Sequence, residues 1–207
     1  MSRLPGKRLG VKIGSTPVSA SGGLQLEVFV DFTCPFSKKI YDVLVKEVKP
    51  HYGHKLELIF QLVPQPWHPA SCMVHESFHA ACLAAPFKEE KLFAVTFRDA
   101  LVHFGDSHTM ESSRKKVHAQ LSGIYEDCAV EKMAFLKNLA LDTADGQVNG
   151  GNAASRLVKL YVKQHRQLGV HVTPTIRVNG VVCDSSSSWS LQEWRAFLDP
   201  VMDADYI

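Results

Sequence analysis

The chain has 207 residues, 45% hydrophobic and 21% charged, with 23 basic against 21 acidic side chains. That length makes one compact domain, or one domain carrying an insertion, with enough chain to bury a core without disulfide or metal staples. A net charge of +2 gives no electrostatic footprint for nucleic acid, the apolar content excludes disorder, and no run approaches the ~18 apolar residues of a membrane span.

The start, Met1 to Gly14, is basic but lacks the apolar stretch of a secretory signal. Leu24 to Thr33 is rich in β-branched and aromatic residues and reads as a buried strand. Pro35 to Lys49 puts Phe36, Ile40, Val43, Leu44 and Val48 on one helical face, with Pro50 expected to stop it. Lys55 to Val63 is a second strand, closed by Pro64 and Pro66, so the chain opens β-α-β. From there to Arg166 only helical stretches appear, roughly 69–85, 88–104, 112–126, 130–141 and 152–168. Asn152 is expected to cap the last of these and Gly169 to end it. The DTADGQ stretch before it lacks calcium-loop spacing and reads as a loop. Strands return at Thr175–Val178 and Val181–Cys183 around Asn179-Gly180, a type I′ hairpin signal. Ser190 and Glu193 form a capping box for a final helix with Leu191, Trp194 and Leu198 inward. The expected architecture is α/β: a small sheet with its helices from residues 1–66 and 167–207, and a helical insertion over 67–166.

Cys34 stands where the first strand ends and the first helix begins, with Pro35 favoured at the first helical position. Unpaired N–H groups and the positive end of the helix dipole favour a thiolate there, and Lys38 and Lys39 add positive charge one turn on. Five cysteines (Cys34, Cys72, Cys82, Cys128 and Cys183), odd in number and without a Cys-x-x-Cys pair, are not a disulfide framework. A reduced, cytoplasmic chain is the expectation.

The turn Phe32-Thr33-Cys34-Pro35-Phe36-Ser37 after a strand, with Val172-Thr173-Pro174-Thr175 before the hairpin, resembles the thioredoxin superfamily. The helical block between the two halves is similar to its DsbA-like branch. The resemblance implies a thioredoxin fold, a cis bond at Thr173-Pro174, and a substrate groove beside Cys34 formed by Pro35, Phe36, Thr173 and Pro174. Such a groove exposes the Thr173 backbone to an extended peptide or to glutathione. Two departures qualify it. Ser37 replaces the family's second cysteine, so Cys34 cannot close an intramolecular disulfide, and Ser37 is left as a hydrogen-bond donor to the thiolate. Val28 stands where many relatives carry a buried acid, although Asp31 lies on the same strand.

His75-Glu76-Ser77-Phe78-His79 matches a zincin string, and with Cys72 and Cys82 it makes a stripe within about 80° of one helix. Four ligands strung over ~15 Å cannot surround one ion, so no metal is expected. A helix flank packed in the insertion is the simpler reading, and Cys72 or Cys82 as a resolving thiol the sharper one. Trp67 is expected to pack at the hinge after the second strand, with the wall of a substrate groove as the alternative, and Trp189 and Trp194 to pack around the last helix. His171 is expected to be a surface or packing residue.

These observations favour a monothiol thiol-disulfide oxidoreductase. Cys34 would be the nucleophile, glutathione the co-thiol rather than a bound cofactor, and protein or peptide thiols the partners. A non-catalytic peptide-binding module and a kappa-like glutathione transferase or isomerase remain alternatives. The latter class relies on a serine at the first position of the turn, where this chain has Cys34.

Overall fold

The computed structural model describes residues 9–14, 23–143 and 149–203; the first eight residues and most of the DTADGQ stretch lie outside them. Five strands form one sheet among the described residues: β1 (Val11–Ile13), β2 (Leu24–Val30), β3 (Leu56–Leu62), β4 (Thr175–Val178) and β5 (Val181–Cys183), ordered β1-β3-β2-β4-β5. β2 and β3 are near-continuous apolar runs buried over most of their length. They pair in parallel from Leu24↔Leu56 to Val30↔Leu62, as strands covered on both faces do. β4 runs antiparallel on the other side of β2, and β5 folds back through Asn179 (φ 48°) and Gly180 (φ 86°), the two left-handed positions of a type I′ turn. β1 pairs antiparallel with β3 and was not foreseen, because three residues carry no measurable periodicity.

The crossover corrects one expectation. Helix α1 (Pro35–Val43) does not stop at Pro50; it passes through a π-turn at Leu44–Val48 and continues as α2 (Lys49–Tyr52). Pro50 has no N–H to give and its ring would strike the carbonyl one turn back, so the helix widens instead of ending. It ends at Gly53, where φ is +57°.

The helical block consists of α3 (Ser71–Ala84), α4 (Glu89–Phe104), a short α5 (Asp106–Thr109), α6 (Arg114–Gly123), α7 (Lys132–Leu139) and α8 (Ala153–Gln167). Asn152 and Ser155 close a capping box on α8, and Gly169 follows it at φ +68°. The last helix, α9 (Leu191–Asp203), starts from the Ser190–Glu193 box, with Ser190 N–H donating to Glu193 Oε2 at 2.7 Å. Its Trp194 is buried and meets Trp189 edge-on at 5.1 Å.

One apolar cluster runs from Val11 through the sheet into the helical block and on to Leu198. Its junction is Phe32, which leaves the end of β2 and touches the rings of Phe78, Phe93 and Phe97 at 4.9–5.4 Å. Within the block the buried Glu76 of α3 binds Arg114 of α6 and the Ser155 hydroxyl of α8, the latter at 2.7 Å. The turn carrying Cys34 is therefore braced against the insertion through the residue two positions before it.

Candidate active site

Cys34 is the N-cap residue of α1, with extended backbone angles (φ −84°, ψ 121°) and Pro35 opening the helix behind it. Its side chain makes no capping bond, so the sulfur is not committed to the helix's own N–H groups. Its backbone N–H donates to Asp31 O at 3.2 Å, which tightens the turn. The buried thiol donates instead to the carbonyl oxygen of Thr173, 3.5 Å away and 139 positions along the chain. Thr173 lies just before β4, and the Thr173–Pro174 peptide bond is cis. The fold thus joins Cys34 to the Thr173–Pro174 loop, while Pro35 and Phe36 project from the helix start, Phe36 with 60% of its surface exposed.

Ser37 is wholly buried one turn on, and its hydroxyl accepts the Asp31 N–H at 3.2 Å. Among the described residues no hydrogen bond joins it to Cys34; the hydroxyl pins the base of the turn. Lys38 pairs with Asp42, and Lys39 donates to Ser188 Oγ at 2.7 Å, so both positive charges are engaged along and beyond α1. Val28 sits in the core of β2 opposite Phe60 and Ile176, with no acid at that position.

The carboxylate at the site is Asp31, fully buried immediately after β2. Oδ1 accepts the Thr33 N–H at 2.8 Å and the Thr33 hydroxyl at 2.7 Å. Oδ2 accepts the Gln65 N–H at 2.7 Å and the Ser71 hydroxyl at 2.6 Å. Four donors at these distances replace the water that a buried carboxylate gives up. Gln65 is itself buried in the loop after β3, and its amide Nε2 reaches His171 O at 3.4 Å and Thr173 Oγ1 at 3.5 Å. The sequence reading missed Gln65 and Ser71. The available signal was a polar residue enclosed in a Pro-Gln-Pro exit, where an apolar side chain would ordinarily cover the strand end.

The stripe on α3 divides. His75 packs its ring on Phe32 at 4.9 Å and donates Nδ1–H to Ser71 O at 2.8 Å, and His79 stacks on Tyr161 at 5.2 Å. Burial, reinforced by the neighbouring His75, drives the His79 pKa down to about 3, and burial lowers that of His75 as well. Cys72 reaches the surface, whereas Cys82 borders a cavity with Leu9–Lys12 at the β1 side, so the two thiols do not share a site. The packing round the Cys72 thiol, then the Glu76 and Asp31 carboxylates, pushes its pKa up, against a role as a ready thiolate. No group of three metal-binding side chains occurs among the described residues. Trp67 corrects another expectation: it is 56% exposed and does not pack at the hinge, where the prolines on either side of Gln65 already turn the chain. His68 beside it pairs Nδ1 with Asp106 at 3.1 Å, and His171 is exposed.

This is a single thiol at a helix start, facing the backbone of a cis-proline loop, with exposed apolar side chains at Phe36 and Val172. A thioredoxin family model matches residues 21–200, and the chain belongs to that family. Among solved structures, a candidate protein-disulfide isomerase from Pseudomonas syringae is 24% identical, with a TM-score of 0.66 over 86% of this chain and 94% of that one. The thiol-disulfide exchange protein α-DsbA2 of Wolbachia pipientis is 17% identical, covers 89% and 85%, and has a TM-score of 0.59. The catalytic domain of Proteus mirabilis ScsC is 13% identical, covers 94% and 90%, and has a TM-score of 0.60. These likenesses show a thioredoxin-like fold. No curated protein matches the chain.

Proposed function

We propose that the chain is a monothiol thiol-disulfide oxidoreductase whose nucleophile is Cys34. The observation that carries this reading is the 3.5 Å approach of Cys34 Sγ to the Thr173 carbonyl from the N-cap of α1. A sulfur so placed meets an incoming disulfide beside the backbone groups that would hold it. In the first step the Cys34 thiolate attacks one sulfur of R–S–S–R, forms Cys34–S–S–R and releases RS⁻, which takes up a proton. In the second, a thiolate such as that of glutathione attacks the R sulfur, giving a new disulfide and returning the Cys34 thiolate. The incoming thiol is needed because the Ser37 hydroxyl cannot form the disulfide that would release R. A thiol-rich, reducing compartment would supply it.

The test is glutathione-coupled reduction of a small disulfide, with intact-mass detection of the Cys34 adduct. Wild-type protein should turn over and carry one half of the small disulfide on Cys34, and Cys34→Ser should do neither. Activity retained in Cys34→Ser would remove the assignment.

Phe36, Trp67 and Val172, each more than half exposed, support a second reading as a peptide-binding module without turnover. Binding of an extended apolar peptide that is indifferent to Cys34→Ala, in a protein inert in the exchange assay, would select it.

A further inference from the structure

The hydrogen bonds round the site close a ring. Cys34 N–H donates to Asp31 O at 3.2 Å, and Asp31 Oδ2 accepts the Gln65 N–H at 2.7 Å. Gln65 Nε2 donates to Thr173 Oγ1 at 3.5 Å and to His171 O at 3.4 Å, and Thr173 O accepts the Cys34 thiol at 3.5 Å. The ring therefore links the Cys34 turn, the loop after β3 and the cis-proline loop, segments that are adjacent only in the fold.

Its bonds are unequal. Asp31 is immobilised by four short bonds on its carboxylate and two on its backbone, and the Ser71 hydroxyl both donates to Asp31 and accepts from Gln65 N–H at 3.1 Å. A charged acceptor so surrounded is the rigid member. The Gln65 backbone inherits that rigidity. From this fixed base its buried amide spans to the Thr173–Pro174 loop and supplies the polar side-chain contacts to it, beside the apolar packing of Val63 with Val170.

We propose that Gln65 is a positioning residue, anchored by Asp31, that sets how far the Thr173 backbone stands from Cys34 and thereby governs affinity for the disulfide substrate. Substrate held in extended form would pair with the Thr173 backbone, so displacing the loop weakens binding. The same displacement takes the Thr173 carbonyl away from the Cys34 thiol, whose protonated form it holds, so the thiol's reactivity moves with the loop. The inference rests on the disulfide-exchange reading above, and the experiment separates the two.

Gln65→Met keeps the length of the side chain and removes its donors. Steady-state exchange with a peptide–glutathione mixed disulfide should show KM raised about three- to tenfold, as loss of one or two hydrogen bonds gives, with kcat little changed. Cys34 alkylation by iodoacetamide between pH 6 and 9 should reach its half-maximal rate at lower pH than in wild type, because the protonated thiol loses its carbonyl acceptor. An unchanged KM in Gln65→Met overturns the proposal, and so does an alkylation profile identical to wild type, which would mean that the Thr173 carbonyl has not moved from Cys34. If the wild-type protein does not exchange disulfides at all, the functional reading fails. The positional claim is then decided by amide hydrogen exchange over residues 170–176. Faster exchange in Gln65→Met supports it, and equal exchange overturns it.

Discussion

His79 makes the protein's stability depend on pH in a calculable way. Its ring is buried in α3 against Tyr161, and among the described residues Nε2 has no hydrogen-bond partner. In the unfolded chain the imidazole takes up a proton near its ordinary value of 6.5, but in the fold, where burial comes first and His75 second, it does so only at about 3. Below pH 6.5 the unfolded state therefore binds more protons, and stability falls as the pH falls. Each unit is worth about 1.36 kcal/mol, so lowering the pH from 7.5 to 5.0 should remove about 2 kcal/mol through this residue. The assay is urea unfolding of the wild type and of His79→Leu at both pH values. The variant's own packing change cancels when each protein is compared with itself. Wild type should lose about 2 kcal/mol more than His79→Leu over the interval. Equal losses would refute the reasoning, because they would mean that the imidazole is hydrated or partnered in the native state. His118 follows the same sign, its pKa lowered to about 4 by burial and then by Arg114, but the Glu76 carboxylate 3.7 Å away works in the opposite direction. It is the less clean probe.

Phe32→Ala should cost about 3–5 kcal/mol by chemical denaturation, since it empties the space between three phenylalanine rings and the His75 ring at the junction of sheet and insertion. A cost below about 1 kcal/mol would mean that this junction is loosely packed. Ser37→Cys should form a disulfide with Cys34 under mild oxidation, read as two fewer titratable thiols than in its reduced form, and the reduced variant should reduce one substrate disulfide per protein before added glutathione is needed. No change in thiol count would show that the buried position cannot bring its sulfur to Cys34.

The outline of the fold was readable because its main elements carry strong local signals. β2 and β3 are long apolar runs, Asn179-Gly180 permits the two positive φ values that a hairpin turn needs, and Asn152 and Ser190 are capping residues with matching partners three positions on. What was missed lacks a local signal. β1 is three residues long and exists because β3 offers it an edge, and the continuation through Pro50 depends on a π-turn whose energy comes from packing Leu44 and Val48 rather than from propensity.

The site divides in the same way. Cys34, Pro35 and Pro174 stand in recognisable strings, but Asp31, Gln65 and Ser71 meet only after residues 31, 65 and 71 are folded together, and nothing in a linear pattern marks a polar residue as another's partner. Ser37 shows how far a string can mislead. Its place in the turn suggests a hydroxyl turned to the thiolate, yet the folded chain spends that hydroxyl on the Asp31 N–H. Sulfur is a weaker acceptor than oxygen, so a second cysteine at this position would weaken the brace beneath the turn. In this chain, then, Ser37 does more than leave a thiol unpaired: it holds Asp31 in place, and Asp31 in turn holds Gln65, whose amide reaches the loop that faces Cys34.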